Sequence, residues 1–449
     1  MTTEPDPPNL NNHVNVERKS IYDRIFWLTY AANVMLVTAN ALTFRFADFV
    51  KYLGGSEETT GAIAGAALLG ALVARWVLGQ GIDRYGTRIL WPLGSVLFIV
   101  SMGLFVFVDQ LDSWIYVART GYAVGIAMMF TCSMVHVQNR VPAERRTEVI
   151  GNLGSSGFVG MICGAQLGDL ILALVETGRM QYVVLFGATV VLGTIYLGLV
   201  LAITRRDVHA RPRVTPAAHA LLFRYWPGAV VLVALMMGTA LTVTTVFLTR
   251  YVNHLGLAHG FGAFFTGYAI AAFSFRLLAA RWSRSIGRHR MILLGLCGHA
   301  AGFSILPFMT ADWMFLIPAA CSGFGHALLF PAVVSLGAGA FPKRYRGTGT
   351  TITLGFFDLG MAVSAPFLGR IIDQFDSVGF TPMFYTAAGM MVTVATFYAL
   401  TAGRYPDVDA VQPSERQTVR DGLPRVETTP HSPARPEPIP ALCSAHHED

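Results

Sequence analysis

The stretch Gly79–Arg88, GQGIDRYGTR, lies between two apolar runs that are each long enough to cross a bilayer. It sets the charged pair Asp83-Arg84, flanked by glycines, into a short turn between two membrane-length helices. A similar stretch returns in the second half as ARWSRSIGRHR, Ala280–Arg290. One offset aligns the copies: Arg75 with Arg276 (276 − 75 = 201), Gly86 with Gly287, Gly94 with Gly295. Gly61-Ala62 and Gly262-Ala263 keep the same offset, as do Ala165 with Pro366 and Gly168 with Gly369. A chain that repeats itself at half its length reads as two copies of one membrane module.

Composition agrees. Hydrophobic residues make up 53% of the 449 and charged residues only 13%, with a mean hydropathy of +0.50. A soluble domain carries about twice that charge. Of the five cysteines, Cys132, Cys163, Cys297 and Cys321 lie in apolar runs and read as small core residues, and none has metal or redox spacing. The net charge of +6 is a topology signal and not a nucleic-acid footprint, because the basic residues fall in loops between spans. A polar tail of about 20 residues before a full-length first span reads as an uncleaved N-terminus.

Twelve apolar runs are expected to cross the bilayer: 24–47, 60–80, 89–108, 113–138, 149–174, 181–203, 227–250, 262–282, 290–309, 314–340, 349–371 and 381–402. The fold class is therefore all-α integral membrane, two pseudo-symmetric six-helix bundles. The expected domains are a tail over 1–20, bundles over 21–203 and 227–403, a linker over 204–226 and a second tail over 404–449. The linker is polar and basic, with Arg205, Arg206, Arg211, Arg213 and Arg224 beside Pro212 and Pro216. The last tail is rich in proline and charge and reads as disordered. Its Cys443, His446 and His447 read as solvated, so no metal is expected.

Charge fixes the expected orientation. Loops on one side hold Arg84, Arg88, Arg140, Arg145, Arg146, Arg288, Arg290, Lys343, Arg344 and Arg346. The other side holds little beyond Lys51, Arg179 and Arg250. The positive-inside rule then places both termini in the cytoplasm, in a cytoplasmic membrane.

These residues resemble the major facilitator superfamily, whose turn between the second and third spans reads G-x-x-x-D-R/K-x-G-R/K-R/K. Gly79, Asp83, Arg84, Gly86 and Arg88 match it, with Thr87 in one basic place. The second copy is degraded, with Arg284 for the acid and Ser285 for the base. Val141–Arg146 is similar to the loop after the fourth span, and Ile115 with Arg119 to part of the fourth-span motif. Gly157, Gly160, Gly164 and Gly168 resemble the antiporter motif of drug exporters, except that Ala165 stands where proline is usual. The resemblance covers residues 20 to 403 and implies a carrier of small solutes.

Physical chemistry gives the motif a task. The eleventh span begins near Gly347, and its free N–H groups carry partial positive charge. Asp83 is expected to dock there and close an inner gate that Gly79, Arg84, Gly86 and Arg88 shape. At the other end Asp48 and Arg250 are candidates for an outer latch, or for interfacial charges that snorkel to water.

A charge at mid-membrane costs from about 3 kcal/mol upward and needs a partner or a wet cavity. Arg75 lies four residues, about 6 Å, outward of Gly79, and Asp358 lies eleven residues, about 16 Å, beyond Gly347. In the family this chain resembles, the second and eleventh spans touch and the eighth lies beside the eleventh, which implies that Arg75, Arg276 and Asp358 share one depth band, with Asp358 paired to one arginine. An anionic solute or a proton then competes for the pair; a static ion pair is the alternative. Arg45, Arg119, Asn33 and Asn40 are further pathway candidates. His326 is either a proton carrier or a satisfied core histidine.

Function follows from this resemblance, whose overall pattern looks like the drug- and sugar-efflux branch. No G-x-x-x-x-G-K-[ST] occurs, so ATP is not the driver, and no hydrolase motif marks an enzyme. The expectation is a monomeric secondary transporter without cofactor, moving a small organic solute by alternating access, with proton-coupled efflux as the first reading. The alternative is transport of a small carboxylate or other organic anion. A solute sensor that does not transport ranks below both.

Overall fold

The computed structural model describes residues 22–207, 216–257, 260–375 and 379–401. The expectations for the two tails, including Cys443, His446 and His447, lie outside the described residues, as do Arg211 and Arg213 of the linker. Among the described residues every regular element is helical. The first half comprises α1 (Arg24–Leu42), α2 (Phe46–Tyr52), α3 (Glu57–Tyr85), α4 (Thr87–Phe107), α5 (Ser113–Arg140), α6 (Arg146–Leu174) and α7 (Arg179–Thr204). The linker contributes α8 (Ala218–Arg224). The second half comprises α9 (Val230–Thr242), α10 (Leu248–His254), α11 (Gly260–Ser285), α12 (Arg288–Ile305), α13 (Leu316–Gly339), α14 (Arg346–Gln374) and α15 (Phe380–Thr401).

Among the described residues, eleven spans are long and apolar enough to cross a membrane. The first joins α1 to α2 and the seventh joins α9 to α10. The twelfth is α11, the eighth in chain order. It is one 26-residue helix, but its apolar stretch covers only Gly262–Leu278. Arg281 and Arg284 close that stretch at its basic end. Helix starts follow local chemistry: Asp23 accepts from the Phe26 N–H at 2.8 Å, Ser56 from Thr59 at 3.1 Å and Asp112 from Trp114 at 3.0 Å. The linker helix α8 was not expected. Its Leu221 and Leu222 bury against Phe341 and Tyr345 at the start of the eleventh span.

The internal repeat survives in three dimensions. Gly86 and Gly287 turn α3 into α4 and α11 into α12 with φ of 80° and 84°, a region that costs any residue with a Cβ. Gly94 and Gly295 let the next helices touch: a Cβ on either would stand 2.6 Å from the facing Met128 or Leu329. Such close approach replaces the hydrophobic drive that lipid does not supply. The expected glycine series works likewise at two of its members. A Cβ at Gly160 or Gly164 would lie 2.6 Å from the Val34 or Thr38 carbonyl of α1.

The halves meet along two repeat-related seams, α3 against α14 and α6 against α11. These seams decide which charged side chains can reach one another.

Candidate functional site

At the basic end of the first seam, Asp83 is buried at 4% exposure. Its Oδ1 accepts from the Gly347 N–H at 2.7 Å, and Oδ2 accepts from the Thr348 N–H at 3.0 Å and the Thr348 hydroxyl at 2.5 Å. No side chain at the N-cap position, Tyr345, caps α14. The cap comes instead from the other half of the molecule, and it meets amides that otherwise lack acceptors. Gly347 is required for the approach, since its Cβ would lie 2.5 Å from Asp83 Oδ1.

Gly79 is required too. A Cβ there would stand 2.7 Å from the Thr348 Cα. Gly79→Ala should push α3 from α14 and lower stability by about 1–3 kcal/mol, the cost of overpacking. Gly65→Ala on the same helix, where nothing lies within 4 Å, should be neutral or stabilising. Thermal unfolding in detergent checks the contrast.

Of the other motif residues, Arg84 is exposed and rests on the Tyr85 ring at 5.4 Å. Arg88 Nη1 donates to the Asp207 carbonyl at 3.4 Å. Nearby, Tyr22 donates to Glu148 at 2.7 Å, which Arg145 holds at 2.8 and 3.0 Å. Burial and the Glu148 carboxylate push the Tyr22 phenol above its ordinary range. The Glu148 hydrogen bonds raise Arg145 further.

Deeper in the same seam, Arg75 Nε donates to Asp358 Oδ2 at 2.5 Å, with side-chain exposures of 11% and 13%. Arg75 Nη1 also donates to Thr131 Oγ1 of α5 at 3.3 Å. The pair bridges the halves.

Arg276 does not join this pair, so Asp358 meets one arginine. Its helix, α11, packs on α6 and α13, so it lies on the second seam. There it is 2% exposed, with its guanidinium 5.0 Å from the Phe158 ring and 5.3 Å from Phe330. Its Nε has no hydrogen-bond partner among the described residues, and no carboxylate among them pairs with it. It fits because Gly154 has no side chain: a Cβ there would lie 2.0 Å from Nη1.

His326 shares this cage. It stacks on Phe330 (centroids 5.8 Å, 16°) and stands edge-on to Phe158 at 6.2 Å, with Tyr268 at 5.9 Å. His299 packs on Phe303 in α12.

The repeat explains the orphaned arginine. The offset that takes Arg75 to Arg276 takes Asp358 back to Gly157 (358 − 201 = 157). The second seam thus has the arginine of the first without its acid. Nothing lies within 4 Å of where a Gly157 Cβ would point.

Toward the opposite end, Arg119 lies over Phe46 at 4.3 Å and Tyr122 at 4.7 Å, with Nη1 lacking a partner among the described residues. Tyr122 donates to Asn40 and shares a 2.8 Å hydrogen bond with Thr43. Asn33 is buried with its Oδ1 unpartnered among the described residues. Arg119, Asn40 and Tyr122 therefore form one polar group, as their separate positions on two spans allow.

The outer latch is not formed. Asp48 pairs with Arg45 at 3.8 Å along its own helix, both exposed. No Asp48–Arg250 bridge forms among the described residues, because α2 packs on α3 and α10 on α11, each within its own half.

Sequence reasoning missed Thr131, Gly154, Phe158, Tyr268 and Phe330. The absent acid at Gly157 was the available signal, since the offset was already fixed.

The chain is similar to the uncharacterized MFS-type transporter YhhS of Escherichia coli O6:H1, 25% identical over 261 residues, 58% of this chain and 61% of that protein. It thus spans about three fifths of the length of that curated relative. In fold it is similar to the E. coli fucose:proton symporter FucP (TM-score 0.65, 18% identity, covering 83% of this chain and 98% of that one). It is also similar to a bacterial homologue of the iron transporter ferroportin in its outward-facing state (TM-score 0.71, 13% identity, covering 85% and 100%). Residues 26–264 and 230–443 match the family model itself, and with twelve helices in two repeat-related bundles the chain belongs to the Major Facilitator Superfamily.

Proposed function

We propose that this membrane transporter carries a small organic anion, a carboxylate foremost, and that the solute's negative charge takes the place of the acid missing beside Arg276. The observation that carries this is the guanidinium held between Phe158 and Phe330 with no carboxylate among the described residues. A buried cation of that kind is costly and is retained where something binds it.

Movement follows alternating access, the halves rocking about the second seam. The basic end faces the cytoplasm, as the arginine distribution supports. The Asp83 clasp on α14 supports a state closed on that side and open outward. Asp48 and Arg250 become partners in the opposite state. Protons supply the coupling: protonating Asp358 frees Arg75 and loosens the first seam. The fucose:proton symporter among the fold neighbours supports that choice of ion. Alternating access is reversible, so net efflux or uptake follows the larger gradient.

The test is Arg276→Met. Removing a mid-membrane charge relieves about 3 kcal/mol, while the two lost ring contacts, desolvated here, cost up to about 2 kcal/mol each. Stability without ligand should therefore change by no more than about 1 kcal/mol in either direction. The rise in melting temperature that an organic anion gives the wild type should vanish. Retained stabilisation by anions, or equal loss for neutral solutes, overturns the assignment.

A further inference from the structure

A cavity of about 540 Å³ lies at the basic end where the halves meet. Arg88 and Arg140 line it from the first half, Lys343 and Arg344 from the second, with His136 and Asp207 between them. The acids are already engaged, and Arg140 Nη2 also meets Asp23 Oδ2 at 2.9 Å at the exposed rim. Asp83, also on its wall, is spent on the α14 amides. Asp207 Oδ2 meets His136 Nδ1 at 3.0 Å. His136 is 4% exposed, and its Nε2 has no partner among the described residues. Gly86 and Thr87 line the same cavity, and no side chain caps the helix they begin, so its first amides add positive potential.

We propose that this cavity binds a phosphate-bearing anion that bridges the two halves and holds the basic end closed. Guanidinium groups and helix N-termini are the donors that phosphate oxygens select. The bridging matters most. The cations come from both halves, so they converge only while Asp83 caps α14. An anion that needs all of them binds the closed state better, and such a ligand must shift the equilibrium toward it. The site is separate from Arg276. Its binding requires no transported solute, and only its effect on the transport cycle rests on the alternating-access reading.

The test uses the purified full chain with two probes. ATP in detergent represents a soluble source. Nanodiscs containing phosphatidate, against phosphatidylcholine alone, represent a headgroup source. Binding is read by calorimetry and native mass spectrometry, and closure by hydrogen exchange at the Gly347 and Thr348 amides. One arm should show one-to-one binding that weakens with salt and slows those amides about tenfold. The responding arm identifies the source. Lys343→Gln/Arg344→Gln, both exposed and so safe for folding, should weaken binding roughly tenfold. Arg140→Gln on the other half should weaken it as well. Silence in both arms, equal binding by the double variant, or binding that leaves the two amides unchanged each overturns the proposal. None of these readouts requires transport, so a failed carrier hypothesis is told apart from a failed site.

Discussion

Asp358→Ala will be among the most damaging substitutions at the candidate site. It removes the only charge seen to neutralise Arg75 among the described residues and leaves a guanidinium 11% exposed at mid-membrane. Breaking a buried pair by deleting one partner costs about 3–5 kcal/mol, because the remaining charge keeps its desolvation penalty. That loss mixes a folding defect with any transport defect. Arg75→Met/Asp358→Leu separates them, because replacing both members of a buried pair by apolar groups is neutral or stabilising. The double variant should recover the wild-type melting temperature yet show no proton-driven transport in proteoliposomes. Full transport by the recovered protein would make the pair structural glue and remove it from the coupling mechanism.

The second large effect is expected at Asp83. Alanine there deletes three hydrogen bonds to an ionised carboxylate, from the Gly347 and Thr348 amides and the Thr348 hydroxyl. Bonds of that kind contribute about 1.5–3 kcal/mol each when isolated, but these share one acceptor and are replaced by water once the gap opens. A net loss near 3 kcal/mol for the closed basic end is the reasonable sum. At 1.4 kcal/mol per decade, that moves the open-to-closed ratio roughly 100-fold. A cysteine placed at Thr348 in a chain cleared of its own cysteines should then label far faster with a membrane-impermeant thiol reagent from the basic side. Asp83→Asn should fall between, keeping an acceptor but losing the charge that favours the helix terminus. Labelling unchanged by Asp83→Ala would mean that other contacts of the first seam keep that end shut.

Much of this was legible in the chain because a bilayer allows few solutions. Spans must be helical, of one length, and polar only where a partner waits. The twelve runs therefore found their helices to within a few residues, and the acid of GQGIDRYGTR found the amides of Gly347 and Thr348. Pairing was harder. Sequence position gives a side chain its depth, while packing gives its direction around the helix axis. Arg75 and Arg276 have similar depths, yet only Arg75 turns to α14, because α11 crosses α6 and α13. The same gap hid the aromatic cage. Phe158 and Phe330 lie 172 residues apart (330 − 158), and each looks like ordinary core until Arg276 is found between them. Of the two readings left open for Asp48, this structure shows the exposed one, with Arg45 one turn away as its neighbour. The helix Ala218–Arg224 was overlooked because seven residues leave too short a pattern to stand out from a polar connector.

One asymmetry between the repeats has a mechanical consequence. Asp83 bolts the start of the eleventh span, while the position related to it by the repeat is Arg284 (83 + 201 = 284), which has no carboxylate to offer the start of the fifth. The acid that fastens the first seam thus has a basic residue as its counterpart in the second copy. A molecule fastened along both seams would spend its time at rest in a single pose, and one fastened nowhere would leak. Fastened at its basic end by Asp83 and deeper in the same seam by the Arg75–Asp358 pair, the first seam puts the tempo of the swing between poses under the control of a few named side chains.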